Sequence, residues 1–448
     1  MKLFLRRYIG DLYLNNRFYA GCISCVLLFV FRFFLPFLGE LPFLAILIFA
    51  ILLTYDYLVL FSKKTGIIAG RNMADRLSNG DENEVSVYIE SFYSFPVYLT
   101  VIDEIPFQFQ KRDVSFAVEM GKRDKKILRY QLRPVKRGVY EFGFIQIYAS
   151  TSYRFLARRF REGSAVSVPV YPSYLQMRKY RLMAMSNRLS ESGLKKVRKL
   201  GHSLEFDQIK EYVAGDDYRT INWKATARKN QLMVNNYVDE KSQQIYCVID
   251  KSRNMKMPFD GLSLLDYAIN TTLVLSNIAI LKDDKAGLIT FSEKIGSFLP
   301  ADKRQGQMQK IMQALYSQKT RYLESDFEQL YIFIKRKISQ RSLIVLFTNF
   351  ESLSGMNRQL PFLKKIAENH LLVTVFFENT GLSELIEQPG RNLKEVYTRA
   401  IAENIAYEKR LIAKELNQNG ILTIYTDPKN LSVETLNKYL EIKARHLL

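Results

Sequence analysis

Gln244-Ile245-Tyr246-Cys247-Val248-Ile249-Asp250 is an apolar run that ends on a carboxylate. It lacks the in-out alternation of a half-solvated strand, so it reads as a strand of a parallel sheet covered by helices on both faces. Outward from it, strands and helices alternate. An apolar-periodic helix is expected at 264–281, then strands at 286–291 and 295–299 and helices near 306–315 and 325–338. Strand 342–348, helix 357–368, strand 371–377, helix 393–417, strand 421–425 and helix 432–444 complete the pattern. This is a doubly wound α/β domain, whose binding crevice belongs at the carboxyl ends of its strands.

Upstream the periodicity changes. Between 82 and 171, short alternating runs at 85–90, 96–103, 114–119, 127–134, 138–147 and 165–171 are separated by turn signals such as Lys136-Arg137-Gly138. They read as a β-sandwich-like domain over 65–172. Residues 173–201 are basic and carry Ser186, Ser190 and Ser192, which suggests a short helix at 174–185 and an exposed linker. The remainder, 202–448, holds a charged segment and the α/β domain.

The first 64 residues read as a membrane anchor. Residues 18–38 are apolar apart from Arg32, and 41–61 apart from Asp56, each about the 20 residues a spanning helix needs. Gly39 and Glu40 leave a tight turn between them. Lys2, Arg6, Arg7 and Arg17 precede the first span, Lys63, Lys64, Arg71 and Arg76 follow the second, and the turn has no cation. The positive-inside rule puts both ends and the soluble domains in the cytoplasm, with two passes through the inner membrane. At about 1.5 Å per residue, Arg32 and Asp56 lie at opposite depths, so each is expected to snorkel to its own interface.

The chain has 448 residues, 48% hydrophobic and 25% charged, with a net charge of +20. Its cations are scattered without an arginine stripe or aromatic platform, so no specific nucleic-acid partner is expected. Cys22 and Cys25 sit inside an apolar run, and Cys247 reads as core. His202, His370 and His446 are too dispersed for a metal pattern. Phosphate-binding, dinucleotide, nucleophile-elbow and H-E-x-x-H motifs do not occur.

The charged segment reads Glu205, Lys210, Glu211, Tyr212, Gly215, Asp216, Asp217, Arg219, Ile221, Trp223, Thr226, Ala227 and Arg228 at fixed spacing. Gly215 permits a tight turn, and Asp216 or Asp217 is placed to cap a following helix. The segment offers either a recognition surface or ion pairs locking that helix onto the α/β domain. Its pattern resembles the signature of the domain-of-unknown-function 58 family. The resemblance extends to the hairpin, Arg137-Gly138-Val139-Tyr140 and Val170-Tyr171-Pro172. Ala149 to Leu156 departs from it, because members usually carry Asp-Pro-Phe-Gly-Leu there.

Asp250, Ser252 and Asn254, with Ser325 (or Thr320) and Asn349, resemble the metal-ion-dependent adhesion site of von Willebrand factor type A domains. The pattern is degraded: Asn254 stands for a serine and Asn349 for an aspartate, so Mg²⁺ would bind weakly and no cofactor is required. The resemblance implies a non-enzymatic, membrane-tethered scaffold working with a MoxR-type AAA+ ATPase and other envelope proteins. Two alternatives remain at this level. One is a divalent-metal hydrolase built on Asp216, Asp217 and Asp250; the other is an anionic-lipid or nucleic-acid surface binder.

Overall fold

The computed structural model describes residues 10–35, 37, 39–111, 114–185, 204–213, 216, 218–239, 242–387, 392–445 and 447. These fall into two units, Met1–Tyr171 and Pro172–Leu448.

The first unit begins with two helices, α1 (Asn16–Phe34) and α2 (Leu41–Phe61), both long and apolar enough to cross a membrane. Helix α1 stops short of the expected residue 38 because Leu35 precedes a proline, which disfavours helical backbone there. Its N–H closes the last turn on Phe31 O at 2.8 Å. The two helices approach closely at Gly21, where a Cβ would stand 2.5 Å from the Phe49 ring.

Eleven strands are described in this unit: β1 (Leu12–Leu14), β2 (Ile67–Asn72), β3 (Leu77–Ser78), β4 (Asn83–Ser91), β5 (Val97–Asp103), β6 (Ser115–Met120), β7 (Lys125–Leu132), β8 (Gly138–Phe142), β9 (Ile145–Ser150), β10 (Leu156–Glu162) and β11 (Val166–Tyr171). They form sheets in the orders β1-β10-β9-β5-β6, β2-β4-β7 and β3-β11-β8. Alternation does the work: Val87 and Ile89 of β4 pack with Leu99 and Val101 of β5 and Ile147 of β9 between two facing sheets. The run expected at 138–147 is broken at Gly143, whose N–H turns to Glu104 O at 2.8 Å. Strands β1, β2, β3 and β10 were not expected from sequence, β10 because three arginines interrupt it.

Two buried charges join the sheets to the hairpin. Asp56, with no exposed surface, accepts the Thr151 hydroxyl and the Leu156 N–H, the latter at 3.0 Å. Asp56 therefore does not snorkel; the loop between β9 and β10 supplies its donors. Arg158 is also buried, and its guanidinium donates to Leu60 O, Lys63 O and Lys64 O at 3.0, 2.7 and 3.3 Å. It thus serves the free carbonyls at the end of α2, where the helix dipole favours a cation. Tyr93 adds a bond to Leu60 O at 2.7 Å. Arg32 instead lies over the Phe43 ring at 4.9 Å.

The second unit opens with α3 (Tyr174–Met185), at the expected place; residues 186–203 lie outside the described ones. Strands β12 (Leu204–Glu211) and β13 (Met233–Asp239) pair antiparallel and enclose α4 (Trp223–Lys229). Then follow β14 (Gln244–Asp250), the short pair β15 (Pro258–Phe259) and β16 (Leu262–Ser263), α5 (Leu264–Leu281), β17 (Lys285–Phe291) and β18 (Ile295–Asp302). Helices α6 (Gln307–Tyr316) and α7 (Phe327–Lys337), β19 (Leu343–Phe347), α8 (Leu353–Asn369) and β20 (Leu371–Phe377) come next. The chain closes with α9 (Thr380–Glu387), α10 (Leu393–Gln418), β21 (Leu422–Thr426) and α11 (Leu431–Ala444). Of these helices, α9 had no sequence counterpart.

The six-stranded sheet runs β18-β17-β14-β19-β20-β21, parallel except for β18. Ile245, Cys247 and Ile249 of β14 pack on one face with α3, α5, α6 and α11, while Tyr246 and Val248 pack on the other with α7, α8 and α10. That double coverage explains the unbroken apolar strand. Helix α5 also has membrane-span length and hydropathy, but it is mostly buried and serves as core.

Asp56→Ala should leave two buried donors without an acceptor, lowering stability by about 2–4 kcal/mol. A fall in the thermal midpoint of the detergent-solubilised protein, with new protease cleavage inside 151–156, would register it. An unchanged midpoint would show that this carboxylate does not hold the loop.

Candidate functional site

Strand β14 delivers Asp250 to the carboxyl edge of the sheet, beside β17 and β19. Only 2% exposed, its carboxylate accepts the Ser252 N–H at 2.8 Å, the Thr348 hydroxyl at 2.8 Å and the Ser325 hydroxyl. One side chain thus ties together the loop after β14, the loop before α7 and the end of β19. Burial pushes its pKa up, while these hydrogen bonds pull the other way. Ser325, not Thr320, occupies the expected hydroxyl position.

Asn254 and Asn349 bridge the same edge, each side-chain amide donating to the other's backbone carbonyl at 3.3 Å. The Oδ1 of Asn349 accepts from the ammonium of Lys409 at 3.0 Å, and Lys409 also donates to Phe350 O. Lys409 is 8% exposed and shares the buried stripe of α10 with Ala402, Ile412 and Leu416. Burial brings its pKa down to about 8, against the pull of the Glu351 and Glu408 carboxylates. A second buried lysine, Lys251, donates to Gln318 Oε1 at 3.0 Å and is likewise shifted down by burial.

Asp250, Ser252, Asn254, Ser325 and Asn349 all line one cavity of about 100 Å³, with Arg253, Glu324, Glu351 and Arg358 around it. An adjoining hollow of about 580 Å³ shares Arg253, Asn254, Asn349 and Glu351 and adds Lys409, Phe259 and Phe377. The buried Asn254 Oδ1 has no hydrogen-bond partner among the described residues.

This donor set does not fit a resident divalent ion. Asp250 is its one deeply buried carboxylate, and both its oxygens are engaged. Asn349 Oδ1 already holds an ammonium. An ion at a ligand distance of about 2.1 Å from that oxygen would lie within about 5 Å of Lys409 Nζ. At an effective dielectric of about 20, the repulsion is about 7 kcal/mol.

The charged signature segment lies on the β12–β13 pair. Asp216 accepts the Val213 N–H at 3.0 Å and the Lys210 ammonium at 2.9 Å, which together hold its carboxyl below the usual range. It closes a turn and does not cap α4. That role falls to Asn222, whose Oδ1 accepts the Ala225 N–H at 3.0 Å. Trp223 is 70% exposed, and Tyr218, Arg219 and Arg228 are exposed beside it in sequence. Tyr212 pairs its N–H with Leu232 O at 2.8 Å. The side chain of Glu205, and all of Gly215 and Asp217, lie outside the described residues. Asp216 does not line the Asp250 cavity, and among the described residues no three of His, Cys, Asp and Glu gather to hold a metal.

Sequence reasoning missed Thr348, Lys251 and Lys409. The signal for Lys409 was available: a lysine at a core position of the α10 stripe.

The family model described as "Protein of unknown function DUF58" matches residues 208–380, which include the five residues grouped at Asp250 and most of the charged segment. "Uncharacterized protein YeaD" of Bacillus subtilis (strain 168) is 24% identical over 182 residues, 39% of this chain. The match spans 45% of that relative, under half its length. Among solved structures, BatB of Bacteroides thetaiotaomicron matches at 14% identity and a TM-score of 0.31, over 46% of this chain and 100% of that one. The CARDB domain of PF1109 from Pyrococcus furiosus matches at 12% identity and a TM-score of 0.17, over 23% of this chain and 94% of that one. Scores this low carry no assignment.

Magnesium at about 5 mM should raise the thermal midpoint by less than about 1 °C, and EDTA should leave it unchanged. Lys409→Met should lower it, by about 2–3 kcal/mol of stability, because a charged hydrogen-bond donor to two carbonyl oxygens is lost. A rise of several degrees with magnesium in differential scanning fluorimetry would show that the ion is resident.

Proposed function

We propose that this protein is a non-enzymatic, membrane-tethered scaffold that binds a cytoplasmic MoxR-type AAA+ ATPase through the crevice around Asp250. The observation that carries the reading is that crevice: preformed at the carboxyl edge of the sheet, with Arg358 and the Arg253–Glu324 pair at its rim. The rim arginines, Arg358 above all, suit acidic residues of a partner loop. The strand order and the grouping of Asp250, Ser252, Asn254, Ser325 and Asn349 favour a von Willebrand factor type A-like domain. In it, the Lys409 ammonium held on Asn349 opposes a bound cation, and docking requires no cofactor.

Two exposed apolar features add to a protein-binding reading. Trp223 stands in the open beside Arg219 and Arg228 in sequence, residue types that dominate interface energetics. Helix α10 exposes Leu393, Val396, Tyr397 and Ile401 at i, i+3, i+4 and i+8. The engagement of Asp216 and Asp250 with separate partners supports the scaffold reading against a hydrolase on Asp216, Asp217 and Asp250. The two membrane-length helices, with cations on their outer flanks, favour a two-pass anchor in the inner membrane with both soluble parts cytoplasmic.

Reversing the two rim cations, Arg253→Glu with Arg358→Glu, should abolish crosslinked recovery of the ATPase from membranes while leaving the thermal midpoint within about 1 °C, as exposed substitutions do. Recovery should persist in EDTA. Equal recovery by the double variant, or recovery of no ATPase by the unaltered protein, would sink the proposal.

A further inference from the structure

The loop that Asp56 holds has a second consequence. Pinned at Thr151 and Leu156, it lays Tyr153 and Phe155 along the hairpin: Tyr153 against Tyr55 at 6.2 Å and Phe155 edge-on to Phe49 at 5.5 Å between ring centroids. Phe49 lies twelve residues before the end of α2 at Phe61, about 18 Å along the helix axis. A sheet loop therefore reaches well down an apolar span whose outer face, including Ile48, Ile51 and Tyr55, is exposed. Exposed apolar surface of this kind belongs in hydrocarbon, and tyrosines beside it mark the headgroup level.

Beside that loop is an open cavity of about 530 Å³, and Arg17 and Arg154 line it together with Asn15, Tyr98, Ser150 and Glu119. Arg17, in the first turn of α1, donates one bond to Tyr153 O at 3.3 Å. Arg154 lies over the Tyr98 ring at 3.8 Å and has no acid partner among the described residues. It sits there with a left-handed backbone, φ 58°, so the loop conformation itself directs it. Two guanidinium groups against one carboxylate, at the edge of an apolar span, make a seat for a phosphate carried on a lipid.

We propose that this cavity binds the headgroup of an anionic phospholipid, with Arg17 and Arg154 on its phosphate and Tyr153 and Phe155 along its acyl chains. The inference rests on the membrane-anchor reading and not on the ATPase. It makes the β unit a lipid-reading element as well as a spacer.

The test uses the full-length protein in nanodiscs of phosphatidylcholine containing phosphatidylglycerol, with lipid retained through delipidation counted by native mass spectrometry. The variants are Arg17→Gln and Arg154→Asn, the latter because asparagine tolerates the left-handed backbone. Arg129→Ala, at an exposed pair with Glu84, is the control. Phosphatidylglycerol retention should fall about fivefold for each arginine removed, equivalent to ~1 kcal/mol per cation, and should not change in the control. Retention equal in variants and unaltered protein, or equal for both lipids, would overturn the proposal. So would inorganic phosphate raising the thermal midpoint as much as phosphatidylglycerol does, which would assign the cavity to a soluble anion. Carbonate extraction separates the two readings: a released protein removes the membrane anchor, whereas an integral protein without lipid preference removes only this site.

Discussion

A carboxylate buried at the end of a central strand must be surrounded by donors, and Asp250 draws them from three separate segments. Ser252, Ser325 and Thr348 come from the loop after β14, the loop before α7 and the end of β19. The crevice shape follows from that requirement, because each of these segments also contributes to the cavity wall. Lys409, brought by α10, engages the side-chain oxygen of Asn349 at the same edge.

The first unit solves a similar problem with opposite charges. Asp56 and Arg158 are both buried: the carboxylate takes the Thr151 hydroxyl and the Leu156 N–H, and the guanidinium takes carbonyls at the end of the helix. Neither forms an ion pair with the other among the bonds described. The effect is to fasten α2 to β10 at two heights, so that hairpin and sheets share one unit. The loop carrying Thr151 and Leu156 is the loop that Asp56 requires.

Much of the architecture was legible because burial on one face or two leaves a period in the chain. The strands at 244–250 and 371–377 and the helices at 264–281, 174–185 and 41–61 have the expected bounds. Strand β10 was hidden because Arg158, Arg159 and Arg161 erase the apolar alternation, and one of them is buried only because a helix end lies against it. Asp56 was misplaced for the same reason: its partners are about 100 residues away, and no local pattern encodes them. At the candidate site, local spacing found Asp250, Ser252 and Asn254, and strand-end logic found Asn349. It missed Lys409, whose helix position announced burial but not its partner. Asp216 was assigned to the wrong task because Asn222, nearer the helix, caps it.

Hydrogen–deuterium exchange on the full-length protein in nanodiscs, with and without the AAA+ ATPase and in EDTA throughout, reads the central claim directly. Slowed exchange at 250–255, 323–327 and 348–352 is the result expected of a metal-free docking crevice. ATPase binding that leaves those three segments unchanged, or that protects them only after magnesium is restored, would contradict it.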